Sequence, residues 1–292
     1  MTTWSFDAIG TRWEIETAAE LPAVHRVGVQ ARIAAFDAEW SRFRGDSVIS
    51  RLGAGGGRVP APADTVAMLD AYRELSDATD GAVNPLIGQG LAALGYNAAL
   101  TLHHGSSEPA PEDWQEMLRW SASDLSLTTP ATIDVGALGK GRLVDLVHAT
   151  LAGIRGPVIV DASGDMLVRG GGIRVALEHP YDATRAIGVV RIEDEALCAS
   201  ATNRRAWGSG LHHVLDARTG EPVRTWAATW AIAPDAMRAD AIATALFFDG
   251  GPDLAEAWGV QWVRMSTDGR VQRSTDFSGE LFTRGWGRVE GC

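Results

Sequence analysis

The chain is poor in cysteine and in positive charge, and it has no long apolar run. Its 292 residues hold two cysteines, Cys198 and Cys292. Two do not make a disulfide framework, and no Cys-x-x-Cys pair occurs. Lys and Arg total 26 against 37 Asp and Glu, a formal net charge of −11. That balance argues against a general nucleic-acid binder or a membrane-surface binder. An anionic ligand stays possible, because backbone amides and a metal can hold phosphate locally. No stretch is long enough to span a bilayer. Met1 to Asp7 has neither the basic region nor the apolar core of a signal peptide, so the expectation is a soluble, cytoplasmic chain without a membrane span.

What is present is ordinary globular composition, 46% hydrophobic, in a length that suits one large domain or two small ones. Trp4 to Glu16 alternates as a hairpin or entering strand. Pro22 opens a helix over Val24 to Phe43, with Val29, Ile33, Phe36 and Trp40 on one side. Gly53 to Gly57 reads as a flexible loop; Arg58 stands where the last glycine of a dinucleotide fingerprint belongs. A second helix covers Asp64 to Thr79, with Val66, Leu69, Tyr72 and Leu75 inward and Gly81 as terminator. His103 to Asp113 is polar and reads as an exposed loop. A third helix runs from Lys140 to Leu151.

Short β runs follow at Val158–Val160, Met166–Val168, Ile173–Leu177, Ile187–Ile192 and Ala196–Ala199, with Cys198 as a buried strand residue. Glycine-rich turns between them favour antiparallel pairing. Trp226–Ala233 is a further strand. Asp235 caps a last helix, and Val260–Met265 pairs with Arg270–Thr275 through Thr267-Asp268-Gly269. Strands and helices mix without strict alternation, so the fold class is α+β with mainly antiparallel sheets, in a single domain over 1–292 with no clear linker or repeat.

Four segments carry candidate chemistry. In Ala239-Asp240-Ala241-Ile242-Ala243-Thr244-Ala245, Asp240 and Thr244 share one helix face among apolar residues. Buried there, a carboxylate and a hydroxyl need a partner. As oxygen ligands they select a hard cation such as magnesium; an ordinary hydrogen bond or a solvated face is the alternative. Asp134-Val135-Gly136-Ala137-Leu138-Gly139-Lys140-Gly141-Arg142 passes from a strand into a helix, where glycines and the helix N-terminus favour an anion. It is not a P-loop: Asp134 replaces the first glycine, and Arg142 stands where Ser or Thr belongs. A plain strand-to-helix turn is the other reading. In Leu211-His212-His213-Val214-Leu215-Asp216, adjacent strand residues face opposite ways, so one histidine faces any site. An imidazole there suits general-base work or a structural role. No third histidine or cysteine lies at zinc spacing. Asn84-Pro85 is a turn signal whose backbone could also read a purine or flavin edge.

Taken in order, these segments resemble the ApbE family, the FAD:protein FMN transferases. Ile9-Gly10-Thr11, Trp40-Ser41-Arg42-Phe43 with Ser47 to Leu52, Ala82 to Tyr96, Asp134 to Gly141, Ala199-Ser200-Ala201, His213 to Gly220 and Ala236 to Ala245 each resemble a family motif. The resemblance implies an ApbE-like α+β fold with two lobes around a flavin groove. It implies FAD contacts at Ile9, Phe43, Ala82, Val83, Asn84, Asp134, Lys140 and Val214. Mg2+ would lie on Ala137, Asp240 and Thr244, and His213 would be the base.

Some positions depart from the family pattern. Ile9 replaces Met, Phe43 replaces Tyr, Asn84 replaces a common Asp, Ala217 replaces Pro, and Ser163 interrupts a usual Gly-Gly. Ala243 stands where some members carry a second Asp, so water would complete the metal's ligands. The implied reaction moves FMN from FAD to a Ser or Thr hydroxyl on a partner, an FMN-binding domain with a flavinylation motif, and releases AMP. The rival readings are a magnesium-dependent FAD pyrophosphatase and a non-catalytic FAD-binding protein.

Overall fold

A computed structural model describes residues 1–102, 105–203, 206–207, 211–282 and 289–291. Cys292, and His103 and His104 of the polar loop, lie outside the described residues. The helices are α1 (Ala23–Trp40), α2 (Val48–Gly55), α3 (Thr65–Ala78), α4 (Gly88–Ala93), α5 (Trp114–Met117), α6 (Gly139–Thr150), α7 (Ala236–Ala245) and α8 (Gly251–Ala257).

Among the described residues the main sheet has nine strands. Its spatial order is Thr2–Ala8, Thr11–Thr17, Val158–Asp161, Asp165–Arg169, Ala196–Ala201, Trp226–Ala233, Gln261–Ser266, Val271–Arg273 and Val289–Gly291. Every pairing is antiparallel except the last, between Val271–Arg273 and Val289–Gly291. The α+β class and the antiparallel pattern therefore hold. The strand Trp226–Ala233 is buried along its whole length, which requires cover on both faces. Ala231 and Ala233 face the helices. Ala228, Trp230 and Ile232 face a second sheet, in which Gly172–His179 and Asp182–Glu193 supply Leu177, Val190 and Ile192.

Three local readings need correction. The first helix stops at Trp40, because Ser41 turns extended and its carbonyl accepts hydroxyl bonds from Ser47 (2.6 Å) and Ser50 (3.1 Å). Phe43 is therefore in a loop. The glycine run is not a flexible loop: Ser47 caps α2 by accepting the Ser50 amide, Gly56 breaks it with φ +66°, and a strand begins at Gly57. Val66 faces outward at 37% exposure, while Leu69, Tyr72 and Leu75 are buried as expected. Beside the start of α3, the Asp64 carboxylate takes Arg142 (2.6 Å) and Arg32 (3.3 Å), tying α3 to α6 and α1.

The helix α7 lies between the sheet and α6, and its alanines let both approach closely. Its N-terminus is held twice. Asp235 accepts the Arg238 amide as expected of a cap (2.9 Å). Asp145 of α6 accepts the amides of Ala236 (2.7 Å) and Met237 (3.0 Å). At the crossing, a Cβ on Gly141 would lie 2.1 Å from the Ala236 carbonyl oxygen and 2.6 Å from Asp240 Cβ. Only glycine fits there. No helix among the described residues is long and apolar enough to cross a membrane.

Two outcomes are expected. Gly141→Ala should cost more than about 2 kcal/mol by overpacking against backbone; urea unfolding measures it, and a loss near zero would mean the crossing is loose. Burial pushes the Asp145 carboxyl up from 3.8 to about 6, against the pull of its two amide bonds. A raised carboxyl binds more protons folded than unfolded between those values. Its contribution to stability is therefore full at low pH and falls as pH rises through about 6, by up to about 3 kcal/mol. Thermal unfolding between about pH 4 and pH 7 should show this loss flattened in Asp145→Asn; an unchanged slope would place the effect elsewhere.

Candidate active site

A groove opens where the first hairpin, the loop after α1, the Asp134 loop and α7 meet. Its outer part is a cavity of about 390 Å3, and an inner part of about 140 Å3 runs beneath the Ala82–Asn84 turn. Ile9, Phe43, Asp134, Lys140, His213 and Asp240 line the outer part. Phe43, Ala82, Val83, Asn84, Asp134, Ala137, His213, Val214 and Thr244 line the inner part. Every site residue expected from sequence thus borders one groove, and Phe43, Asp134 and His213 border both parts.

The first hairpin brings Ile9 to the edge. The two-residue turn Ile9-Gly10 has φ +46° and +72°, the doubly left-handed form that hairpin twist favours. A β-branched residue is strained there, and Ile9 is left 38% exposed at the groove. Phe43 is also exposed, at 41%. Its ring meets Tyr96 edge-on at 5.5 Å, and the Arg42 guanidinium lies 4.2 Å above it.

Asp134 organises the floor. Its carboxylate pairs with the buried Arg42 and accepts the Gly136 amide at 2.7 Å. Its own amide bonds the Pro85 carbonyl at 2.7 Å, which docks this loop on the Asn84 turn. The Asn84 side chain is spent on backbone: it donates to the Pro111 carbonyl (2.9 Å) and accepts the Leu86 amide (2.8 Å). The turn reading of Asn84-Pro85 is therefore present beside any ligand role. Lys140 reaches the opposite wall, 2.9 Å from the buried Asp165 carboxylate, and donates to the Ala162 carbonyl at 3.2 Å. Its charge toward the groove is partly offset by that pair.

The two histidines separate, but not by strand alternation: the short strand ends at His212, and His213 lies in the bend that follows it. His212 is buried; its Nδ1 accepts the Val214 amide (3.3 Å), so Nε2 carries the proton and donates to the Val223 carbonyl (2.9 Å). Burial holds its pKa below the usual imidazole value. It is a structural group. His213 faces the groove.

On α7, the Asp240 carboxylate accepts the Gly141 amide at 2.8 Å, and the Thr244 hydroxyl donates to the Ala137 carbonyl at 3.1 Å. Both α7 side chains therefore meet the start of α6. The set is one carboxylate, one hydroxyl and one carbonyl, all oxygen, which fits a hard cation that retains water ligands. Among the described residues no three His, Cys, Asp or Glu side chains gather as a metal cluster, so the donor set does not suit zinc.

Two groups in this site were not singled out from sequence. Arg42 sits two residues beyond a helix end with nothing in the pattern to mark it. Tyr72 reads only as part of an apolar stripe, although a buried phenol always needs a hydrogen-bond partner, and that need was the available signal.

Known proteins resemble this chain in sequence and in fold. The ApbE family model matches residues 9–263. An FAD:protein FMN transferase of Rhodobacter capsulatus is 27% identical over 238 residues, covering 73% of this chain and 45% of that protein. The chain thus spans about half the length of that curated relative. The ApbE protein of Thermotoga maritima superposes with a TM-score of 0.80 at 20% identity, over 94% of this chain and 97% of that one. The flavin transferase ApbE of Vibrio cholerae superposes with a TM-score of 0.75 at 20% identity, over 98% and 96%. At such identities these superpositions establish the fold, and the family model, matching most of the chain, establishes that this protein belongs to the ApbE family.

Proposed function

We propose that the chain is an FAD:protein FMN transferase, moving FMN from FAD to a Ser or Thr hydroxyl of an acceptor flavoprotein and releasing AMP. Family membership supports the reaction class. The observation that carries the reading is the convergence of Asp240, Thr244 and the Ala137 carbonyl on a groove that His213 also lines.

In this reading Asp240 supplies the one charged ligand to magnesium, and Thr244 and Ala137 supply neutral oxygens. A magnesium ion held by these residues would supply Lewis-acid stabilisation of the phosphoryl charge as AMP leaves. The remaining work falls to the chain's own groups. The Ala82–Asn84 turn, Val214 and Phe43 wall a mostly apolar slot for a ring. Ile9 covers the outer edge, and Asp134 keeps the loop beneath in one shape. His213 takes the proton of the acceptor hydroxyl on an imidazole nitrogen as that oxygen bonds the FMN phosphorus. The acceptor is an FMN-binding domain that presents a Ser/Thr flavinylation motif at the groove mouth.

Intact-mass analysis of such a domain, incubated with this protein, FAD and magnesium, should show a gain equal to FMN. His213→Ala should slow it by about 10²- to 10⁴-fold, the usual worth of a positioned base. Asp240→Ala should slow it at least about a hundredfold, as expected for a lost electrostatic clamp on a phosphoryl group. AMP and free FMN accumulating with no mass gain would make the protein a pyrophosphatase; intact FAD would make it a flavin binder.

A further inference from the structure

The Asp134–Ala137 loop must hold one carbonyl still, yet it contains Gly136, which lowers the cost of every alternative backbone shape. Tyr72 removes that freedom. Its phenol, buried in α3 at 1% exposure, donates to the Asp134 carbonyl at 3.1 Å and accepts the Ala137 amide at 3.1 Å. One oxygen thus staples both ends of the loop from a helix more than sixty residues away in sequence. The Ala137 carbonyl meets Thr244 of α7 at 3.1 Å. Ala137 is therefore clamped on both sides, its amide by α3 and its carbonyl by α7, and its two backbone dihedrals have little room to turn.

A buried tyrosine that merely fills the core would need only one partner, and any nearby backbone group would serve. This one instead bridges Asp134 and Ala137, the two ends of the loop that holds Gly136.

We propose that Tyr72 is a positioning residue for the cation site: through the Ala137 amide it aims the Ala137 carbonyl at the position the metal takes between that oxygen and Asp240 and Thr244. The inference rests on the magnesium site of the proposed function.

The test is Tyr72→Phe, which keeps the ring and the cavity wall and removes only the oxygen. Three quantities are measured on the full chain: Mn2+ affinity of the FAD-loaded protein by electron paramagnetic resonance, FAD affinity in the presence of chelator, and the thermal midpoint. Mn2+ affinity should fall about tenfold, the usual cost of removing a group that orients a ligand. FAD affinity without metal should stay within about twofold, since the phenyl wall is retained, as it would for a group that acts only on the metal's ligand. An unchanged Mn2+ affinity overturns the inference. So does an equal fall in metal-free FAD affinity, which would make Tyr72 a general support of the groove. Wild-type protein that binds FAD but no Mn2+ would defeat the underlying metal reading itself, an outcome visible before the variant is made.

Discussion

The hydrogen bond from the Gly141 amide to the Asp240 carboxylate is the contact on which the rest depends. It exists because two helices approach so closely that a single methyl group would collide with backbone. Gly141 permits the approach on one side, and the alanines of α7 permit it on the other. A carboxylate offers about four acceptor sites, so the bond from the Gly141 amide does not exclude a cation. Next to it, Thr244 and the Ala137 carbonyl add further oxygens. The same crossing that packs the core thus gathers a set of hard ligands at the floor of a groove.

Around that crossing the fold works to keep α7 in place. The nine-stranded sheet lies against it on one side, with Thr229 Oγ1 donating to the Ala243 carbonyl at 2.6 Å. On the other side α6 holds its N-terminus through Asp145. The second sheet covers the far face of the main one, so the strand Trp226–Ala233 is buried along its length. Farther out, Asp64 links α3, α6 and α1 through two arginines, and α3 in turn carries Tyr72 to the loop. The groove is therefore walled by elements that are each fixed by at least two others. That is the requirement for a site that orients reacting groups and is not reshaped by them.

Much of this is legible in the sequence where the signal is local. The strand Trp226–Ala233, the Asp235 cap and the stripe Val29, Ile33, Phe36 and Trp40 follow from periodicity and capping chemistry alone. The Asp240–Thr244 pair is visible because an apolar helix makes two polar residues conspicuous; the expected division of His212 from His213 is present, but a bend at His213 makes it, not strand alternation. What is not legible depends on partners distant in the chain. Gly53 to Gly57 looks like a loop until Ser47 is known to cap a helix there; Gly53 is small because the Ala131 carbonyl would meet its Cβ at 2.6 Å. Val66 keeps the helical spacing yet faces out, since α3 buries only the stripe that meets the core. Arg42, Tyr72 and Asp145 gain their meaning from Asp134, Ala137 and Ala236, each more than sixty residues away. The order of the nine strands is likewise set by long-range pairing that no local pattern encodes.

The most direct measurement is an anomalous difference map from crystals grown with FAD and Mn2+. The expected result is one strong peak within about 2.3 Å of the Asp240 carboxylate, Thr244 Oγ1 and the Ala137 carbonyl oxygen, the reach of an oxygen-ligated divalent cation, beside flavin density in the groove. A peak elsewhere, or flavin density with no metal at α7, would contradict the claim that the α6–α7 crossing builds the reaction centre.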